Sequence, residues 1–485
     1  MVKGIITVCF CWFMLASNAQ QSFGEPQFWP ENQAFDSITN WGYHATFQLP
    51  AHQKNDSLSW FRRKWSKEHF VTHRDSALMI FIDPMIDVSL NKASNRYFQN
   101  GRGLHAGFVI ENKLEAETWL MENQSGKLPS WLIHHENKQS SIYGYGRTKL
   151  DKDTLNYDFA WVMARLSVAL KPWWKAEVGY GRHHIGLGYR SLLLSNQSIP
   201  YPYILNTWTH KKFKYTHMLG AWNTLMRSGI TANTEAPFLI QKNKADEWSY
   251  QVSKDISVSY ISGTLWDDNK NYTVAQHAVF NAPIPGLSNV LGDSLFVLNG
   301  FQAHLKKKNW LLYGQLMFGQ KKSIKQAGLQ LGVLLKKEIK EHTIFARMEY
   351  NTVPSEMYSS SIGSWSHQSY YSGFVGNQGR ELLMRLQYQY RRIMASSGLV
   401  LSMYPEHTED IIGEKGIVNK VSFELQYTIN QKNGLAFFVE TLYTNKLLAR
   451  RNATNEFLKE ANELNSIKWV SLGLRTSLSR IFQDY

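Results

Sequence analysis

The chain has 485 residues, a formal charge of +14 and 14% aromatic side chains, among them 17 Trp, 24 Tyr and 25 Phe. Its two cysteines, Cys9 and Cys11, sit at the extreme N-terminus, which excludes disulfides, thiolate metal sites and a cysteine nucleophile from the rest of the chain. Beyond that terminus no apolar run approaches the length of a spanning helix, so any membrane crossing has to be made by strands.

Residues 1–19 read as a secretory signal. Lys3 supplies the positive charge, Gly4 to Ala16 the apolar run, and Ser17-Asn18-Ala19 the small-residue cleavage site, giving a mature start at Gln20 after export through the Sec pathway. The run is too short to serve as a membrane anchor. An exported, aromatic-rich chain without cysteines or spanning helices suits a bacterial outer-membrane β-barrel, with aromatics at the interfaces and charges in the lumen and loops. A soluble secreted all-β protein is the plainer alternative. The basic balance also fits nucleic-acid binders, but an exported destination argues against that partner.

Residues 20–76 form an N-terminal periplasmic segment in this reading. Within it, Asp56 to Trp65 has the pattern of a capped amphipathic helix, with Trp60, Phe61 and Trp65 packing and Arg62, Arg63, Lys64 and Lys67 facing water. It belongs outside the membrane band, as a plug or cap.

From residue 77 to 485 the sequence alternates with period two. Ile256, Val258 and Tyr260 alternate with Ser257 and Ser259; Leu329, Leu331, Val333 and Leu335 with Gly328, Gln330 and Gly332. Leu382, Met384, Leu386, Tyr388 and Tyr390 alternate with Arg385, Gln387 and Gln389. Val421, Phe423, Leu425, Tyr427 and Ile429 alternate with Ser422, Glu424, Gln426 and Thr428, and Asn433-Gly434 then supplies a hairpin turn before Leu435, Phe437, Val439 and Tyr443. One greasy face and one wet face are what a membrane barrel needs, and the repeat yields about sixteen to nineteen candidate strands between Ala77 and Phe482. The predicted fold is therefore an all-β transmembrane antiparallel barrel of about 18 strands. Its long polar stretches, Met226 to Glu247 and Glu406 to Lys420, are assigned to extracellular loops. Near the C-terminus Val470, Leu472, Leu474, Leu478 and Phe482 share a face, a closing-strand pattern of the kind read by the outer-membrane assembly machinery.

The densest stretch runs from Gly181 to Ile204, GRHHIGLGYRSLLLSNQSIPYPYI. Gly186-Leu187-Gly188 lacks the spacing of a dinucleotide fingerprint and no Lys-Ser/Thr pair follows, so it is not a phosphate loop. Adjacent His183 and His184 would point to opposite faces of a strand and cannot share one metal. Ser191 and Ser195 are not in a nucleophile elbow, and Ser364 to His367 has no acidic partner at a recognisable spacing. No cofactor, metal or catalytic residue is expected, and the chain reads as a non-enzyme. Lys175 to Arg182 is predicted as a strand, followed by a turn through the glycines and an apolar anchor at Leu192 to Leu194. Arg182 and Arg190 inside a lumen require carboxylates from a plug or neighbouring strands. Alternatively Arg182, His184, Tyr189, Arg190, Tyr201 and Tyr203 line a platform on which arginines pair with the carboxylates of an acidic polysaccharide and aromatic rings stack on its sugars.

This stretch, Gly181 to Ser195 with Tyr201-Pro202-Tyr203, resembles the capsule-assembly Wzi family, in particular its Bacteroidetes branch with RemB-like gliding-motility proteins. Looser landmarks are Phe61 to Lys64 with Glu68-His69, Asp83-Pro84, Gly101-Arg102-Gly103, Glu122-Asn123 through Pro129, and Gly376-Asn377 with Arg380-Glu381. His184 and Asn196 stand where the family has Phe and Asp. The resemblance implies an eighteen-stranded outer-membrane barrel with a helical periplasmic segment, an occluded mouth and a lectin-like role in holding capsular polysaccharide, without catalytic residues. Outer-membrane lipid and an acidic capsular polysaccharide are the expected partners. A gliding or adhesion component and a diffusion channel remain the alternatives.

Overall fold

The computed structural model describes residues 59–476, apart from 94–95, 112, 127–132, 137–138, 143–145, 151–155, 193, 195–198, 228–237, 267–271, 285–286, 288–294, 320–326, 355–356, 361–362, 365–378, 404–406, 409–410, 413–414 and 450–463. The signal sequence, Asp56, Leu478, Phe482 and the Ser366-His367 pair lie outside the described residues.

Eighteen strands form the wall: β1 (Leu78–Lys92), β2 (Arg96–Ile110), β3 (Leu114–Gly126), β4 (Asn156–Lys171), β5 (Trp174–Gly181), β6 (Tyr201–His210), β7 (Phe213–Arg227), β8 (Phe238–Gln251), β9 (Ile256–Trp266), β10 (Leu295–Lys307), β11 (Trp310–Phe318), β12 (Ala327–Ile339), β13 (His342–Val353), β14 (Gly379–Tyr390), β15 (Ile393–Met403), β16 (Lys415–Asn430), β17 (Leu435–Ala449) and β18 (Leu464–Thr476). Each pairs antiparallel with the next, and β18 returns to β1 through Arg475↔Asp87 to Val470↔Lys92. The barrel is closed, which leaves no row of peptide groups facing lipid. Below that seam the edge of β1 is taken by Val71–Arg74, paired Val71↔Ile82 to Arg74↔Met79.

The two rims differ. Eight turns of two to four residues, from 111–113 round to 431–434, lie on one rim with both ends of the barrel. The other rim carries the short 93–95 link and the longer connections 127–155, 182–200, 228–237, 267–294, 319–326, 354–378, 404–414 and 450–463. In an outer-membrane barrel short turns are periplasmic and long loops extracellular. On the periplasmic side, Trp174, Trp208, Tyr215 and Trp248 form an outward row of rings with successive centroids 6.3, 5.3 and 5.8 Å apart, part of an interfacial girdle.

The predicted alternation holds where it was read. Val421, Phe423, Leu425 and Tyr427 are exposed on the outside while Glu424 is buried inside; Leu331 and Leu335 face out while Gln330 faces in. Two expectations fail. Of Met226 to Glu247, residues from Phe238 onward belong to β8, and of Glu406 to Lys420, residues from Lys415 onward belong to β16. On β8 the outward Lys244 and Asp246 are covered by a later part of the chain, while Lys242 stays exposed; on β16 the strand continues beyond the outward apolar run that ends at Val421.

Helix α1 spans Trp60–Ser66, beginning later than the sequence pattern indicates. It is held at the short-turn rim, where Asn430 Nδ2 donates to the carbonyls of Lys64 and Glu68 at 3.1 and 2.9 Å. Just after it, His69 Nδ1 meets Asp83 Oδ2 at 2.5 Å and the Phe70 amide donates to Asp83 Oδ1 at 2.8 Å. The helix is thereby tied to both β1 and β16. The turn into β1 is set by Asp75, whose carboxylate accepts from the Ala77 and Leu78 amides and is held below its ordinary pKa by those two bonds. No helix among the described residues is long and apolar enough to cross a membrane.

Candidate functional site in the lumen

A bare wall of this strand number would leave an aqueous channel. The Gly181–Ile204 stretch changes that. The strand predicted over Lys175 to Arg182 is β5, ending at Gly181, which pairs with Tyr201 at the start of β6. Between these two residues the chain leaves the wall. The edge of β4 that β5 would otherwise continue along is taken by Gly146–Leu150, through Thr148↔Phe159 and Lys149↔Asp158.

The departing segment crosses to β11–β14, on the far side of the barrel. Its amides and carbonyls are taken up by long polar side chains there. The Tyr189 and Arg190 amides donate to the two carboxylate oxygens of Glu349 at 2.7 and 3.1 Å. Gln330 Nε2 donates to the Arg190 carbonyl at 2.9 Å. Gln315 accepts from the Leu192 amide at 2.9 Å and donates to the Ile185 carbonyl at 3.3 Å. The Arg190 guanidinium makes a two-pronged pair with Glu381, Nε–Oε1 3.1 Å and Nη2–Oε2 3.2 Å, and both side chains are buried. Asn351 donates to Glu349 at 2.9 Å and to Glu381 at 3.2 Å, and Tyr313 donates to Glu349 at 2.7 Å. The two carboxylates of this cluster, Glu349 and Glu381, each accept several hydrogen bonds, which is the condition for burying them at all.

The segment also folds on itself. The Ile185 amide bonds the Leu194 carbonyl at 2.9 Å, Ser191 Oγ bonds the Ile185 carbonyl, and the Tyr358 hydroxyl donates to the Leu192 carbonyl at 2.5 Å. Ile185, Leu192 and Leu194 then join an inward apolar cluster with Trp222, Phe296, Leu298, Met317 and Met357. Gly186 has φ +138°, and a Cβ on Gly188 would lie 2.4 Å from the Arg190 carbonyl oxygen. Both glycines are required by the turn, not by a phosphate.

The six residues singled out in the sequence do not form one surface. Arg182 is buried, its guanidinium 5.9 Å from the Trp161 ring. Tyr201 is buried with its hydroxyl 3.0 Å from His183 Nδ1, and Tyr203 is buried with its hydroxyl donating to Glu177 at 2.7 Å. Arg190 is committed to Glu381. His184 and Tyr189 keep partial exposure, and the Tyr189 ring lies between Arg385 at 4.4 Å and Arg190 at 5.3 Å. His183 and His184 lie past the end of β5 and not on the strand. The residues that sequence reasoning missed as receivers are Gln315, Gln330, Glu349 and Asn351; their signal was polar residues at inward positions of the wall, Gln315 on β11, Gln330 on β12 and the alternating Arg347, Glu349 and Asn351 on β13. Glu381 was noted only as a landmark of the resemblance.

A second charged group lies low on the wall. Arg165 bridges Glu115 at 2.8 Å and Glu117 at 2.6 Å; Glu177 accepts from Ser167 at 2.5 Å and lies 3.8 Å from Lys175. Above His69, the rings of Phe81, His105 and Trp119 continue inward with centroids 4.7, 4.9 and 5.1 Å apart. Among the described residues no group of three or more His, Cys, Asp or Glu side chains could hold a metal ion.

The closed eighteen-stranded wall, its asymmetric rims and its aromatic row define an outer-membrane β-barrel embedded in lipid. No family model and no curated protein matches the sequence. Among solved structures the chain is similar to Wzi of Escherichia coli, an outer-membrane protein involved in group 1 capsule assembly and a carbohydrate-binding β-barrel, at 12% identity and a TM-score of 0.50, over 80% of this chain and 84% of that one. It is also matched to OpdK (OccK1) of Pseudomonas aeruginosa, at 13% identity and a TM-score of 0.43 over 83% and 98%, and to OccAB2 of Acinetobacter baumannii, at 10% and 0.46 over 82% and 97%. At 12% identity the likeness to Wzi establishes the fold alone.

Proposed function

We propose that this chain is a non-enzymatic outer-membrane barrel that holds or organises polysaccharide at the cell surface, with its lumen shut by the 182–194 segment. The observation that carries the reading is the buried Arg190–Glu381 pair, which fixes that segment across the lumen. A barrel shut in this way works at its outer face. The fold shared with Wzi, itself a carbohydrate-binding barrel, supports the same class of ligand. Within this reading His184 and Tyr189, the latter with Arg385 over its ring, offer the accessible surface, and Arg182, Arg190, Tyr201 and Tyr203 position it. The chain's positive charge favours an acidic glycan. Export with cleavage after Ala19, insertion by the outer-membrane assembly machinery, and a place in the Bacteroidetes branch belong to the same proposal. A strain lacking the protein is expected to shed its capsular polysaccharide into the medium. Retention at the parental level overturns the reading, and a gliding or attachment defect with normal retention transfers it to the motility branch.

A diffusion channel is the second reading, and one observation favours it. The low wall carries Lys175, Glu177, Arg165, Glu115 and Glu117 where an inert core would carry apolar side chains. Planar-bilayer recordings separate the two: the shut barrel gives no discrete conductance steps, and steady steps from the unaltered protein favour the channel.

A further inference from the structure

Strands β8 and β16 can be compared position by position, counting back from their periplasmic ends at Gln251 and Asn430. The outward positions of β16 are Ile429, Tyr427, Leu425, Phe423 and Val421. The corresponding positions of β8 are Tyr250, Trp248, Asp246, Lys244 and Lys242. A carboxylate and an ammonium therefore stand at the depth where β16 shows Leu and Phe to lipid. A charge on the lipid face at that depth is strongly unfavourable.

Neither group meets lipid. Asp246 is 0% exposed and Lys244 is 1% exposed. Asp246 Oδ1 accepts from the Tyr215 hydroxyl at 2.7 Å and lies 2.7 Å from His217 Nδ1, and Lys244 Nζ lies 3.7 Å from Asp246 Oδ2. The cover comes from the β9–β10 connection. There α2 (Val274–Asn281) starts at a capping box between Thr273 and Gln276. Its Phe280 ring lies 5.8 Å from Lys244 Nζ and packs with Trp266, Leu295 and Val297. These wall residues alternate with inward Leu265, Phe296 and Leu298, so α2 rests on the outside of the barrel.

The free face of α2 carries no Asp, Glu, Lys or Arg. Val274 is 86% exposed and Ile284, just past the helix, 52%; Ala275 and Ala278 are exposed beside them, with His277 and Asn281 as the exposed polar residues of the helix. Residues 271–292 contain no Asp, Glu, Lys or Arg, although Asp267, Asp268 and Lys270 precede them and Asp293 follows. The patch continues the lipid-facing surface formed by Trp248, Val258 and Phe301 on the strands beneath it. A soluble surface helix of this kind would carry charge on its outer side.

We propose that α2 and its flanks, residues 272–284, lie against the acyl chains of the outer leaflet, completing the apolar belt over β7–β10 and roofing the Lys244–Asp246–His217 cluster. This inference depends on the barrel's place in the membrane and not on what it binds.

The chain beyond residue 11 has no cysteine, so Val274→Cys and Ile284→Cys each create a unique, exposed attachment point for a nitroxide. The labelled barrels are reconstituted in phosphatidylethanolamine–phosphatidylglycerol vesicles, and relaxation by oxygen is compared with relaxation by a water-soluble nickel chelate. Phe423→Cys on β16 gives the lipid reference and Lys308→Cys in a periplasmic turn the water reference; heat-shifted gel mobility verifies that each variant is folded. At 274 and 284 oxygen is expected to outweigh nickel several-fold, as at 423. A nickel-dominated response at both sites, as at 308, overturns the proposal. Shielding from both reagents overturns it as well, because it would place a protein neighbour there.

Discussion

Strands β13 and β14 present both sides of the wall in one register. Glu349 and Glu381 point inward and bind the crossing segment together with wall residues Tyr313 and Asn351, whereas Met348 and Met384 on the same strands point outward and are exposed. Outside, the requirement is for a class of side chain, because acyl chains conform to any apolar shape. Inside, the requirement is for a particular partner, because a buried carboxylate without its guanidinium or amide cannot find water. The same backbone thus carries two kinds of sequence constraint, one tolerant and one specific.

The strongest way to break this contrast is Glu381→Ala. It leaves the Arg190 guanidinium buried without its carboxylate and removes one acceptor from Asn351. Loss of one partner of a buried pair costs about 3–5 kcal/mol. The urea midpoint of the detergent-solubilised barrel is expected to fall accordingly, and conductance steps are expected to appear as the segment loosens. Met384→Ala, three residues along and facing lipid, serves as the control and is expected to leave both readouts close to the parent. Replacing Arg190 and Glu381 together by Met and Leu should recover much of the stability lost by the single change. An unchanged midpoint in Glu381→Ala would mean that the pair does not hold the segment.

Next in size is Leu425→Lys. Leu425 lies on the outward face of β16, in the belt between Phe423 and Tyr427. A Lys at mid-depth on the lipid face costs roughly 2–4 kcal/mol, and refolding into vesicles, followed by the gel-mobility shift, should be correspondingly less complete. A small effect would place this face against water or protein and would contradict the assigned belt.

How much of this was legible in the sequence follows from the same contrast. The outward face announces itself locally, because period-two alternation such as Val421 to Ile429 needs no knowledge of the rest of the chain. The reading failed on β8 because Asp246 and Lys244 look like loop residues until Phe280, some distance further along, is known to cover them. It failed on the upper part of β16 because the strand outruns the belt. The Gly181–Ile204 stretch was visible as an unusual motif, and of its two arginines Arg190 meets a carboxylate as expected, whereas Arg182 lies against the Trp161 ring. Which carboxylates could not be read, since Glu349 and Glu381 meet Tyr189 and Arg190 only when the barrel closes. Tyr201 and Tyr203 read equally well as a sugar platform, and only their burial shows that their hydroxyls are taken up by His183 and Glu177.

Phe423→Leu is the smallest expected effect and tests the tolerant side of the wall most directly. In a packed interior, shortening a side chain adds a cavity term to the lost transfer energy, because neighbours relax only partly. On the outside of β16 no cavity forms: acyl chains fill the space, and both residues are apolar. The change should therefore lower the stability read from the urea midpoint by less than about 1 kcal/mol, well under the roughly 2–5 kcal/mol of a truncation that leaves a cavity in a core. The informative partner is Leu192→Ala, which removes a buried side chain from the inward cluster that anchors the crossing segment. If the two variants lost comparable stability, position 423 would be packed against protein, and the division between a tolerant outer face and a specific inner one would not hold on β16.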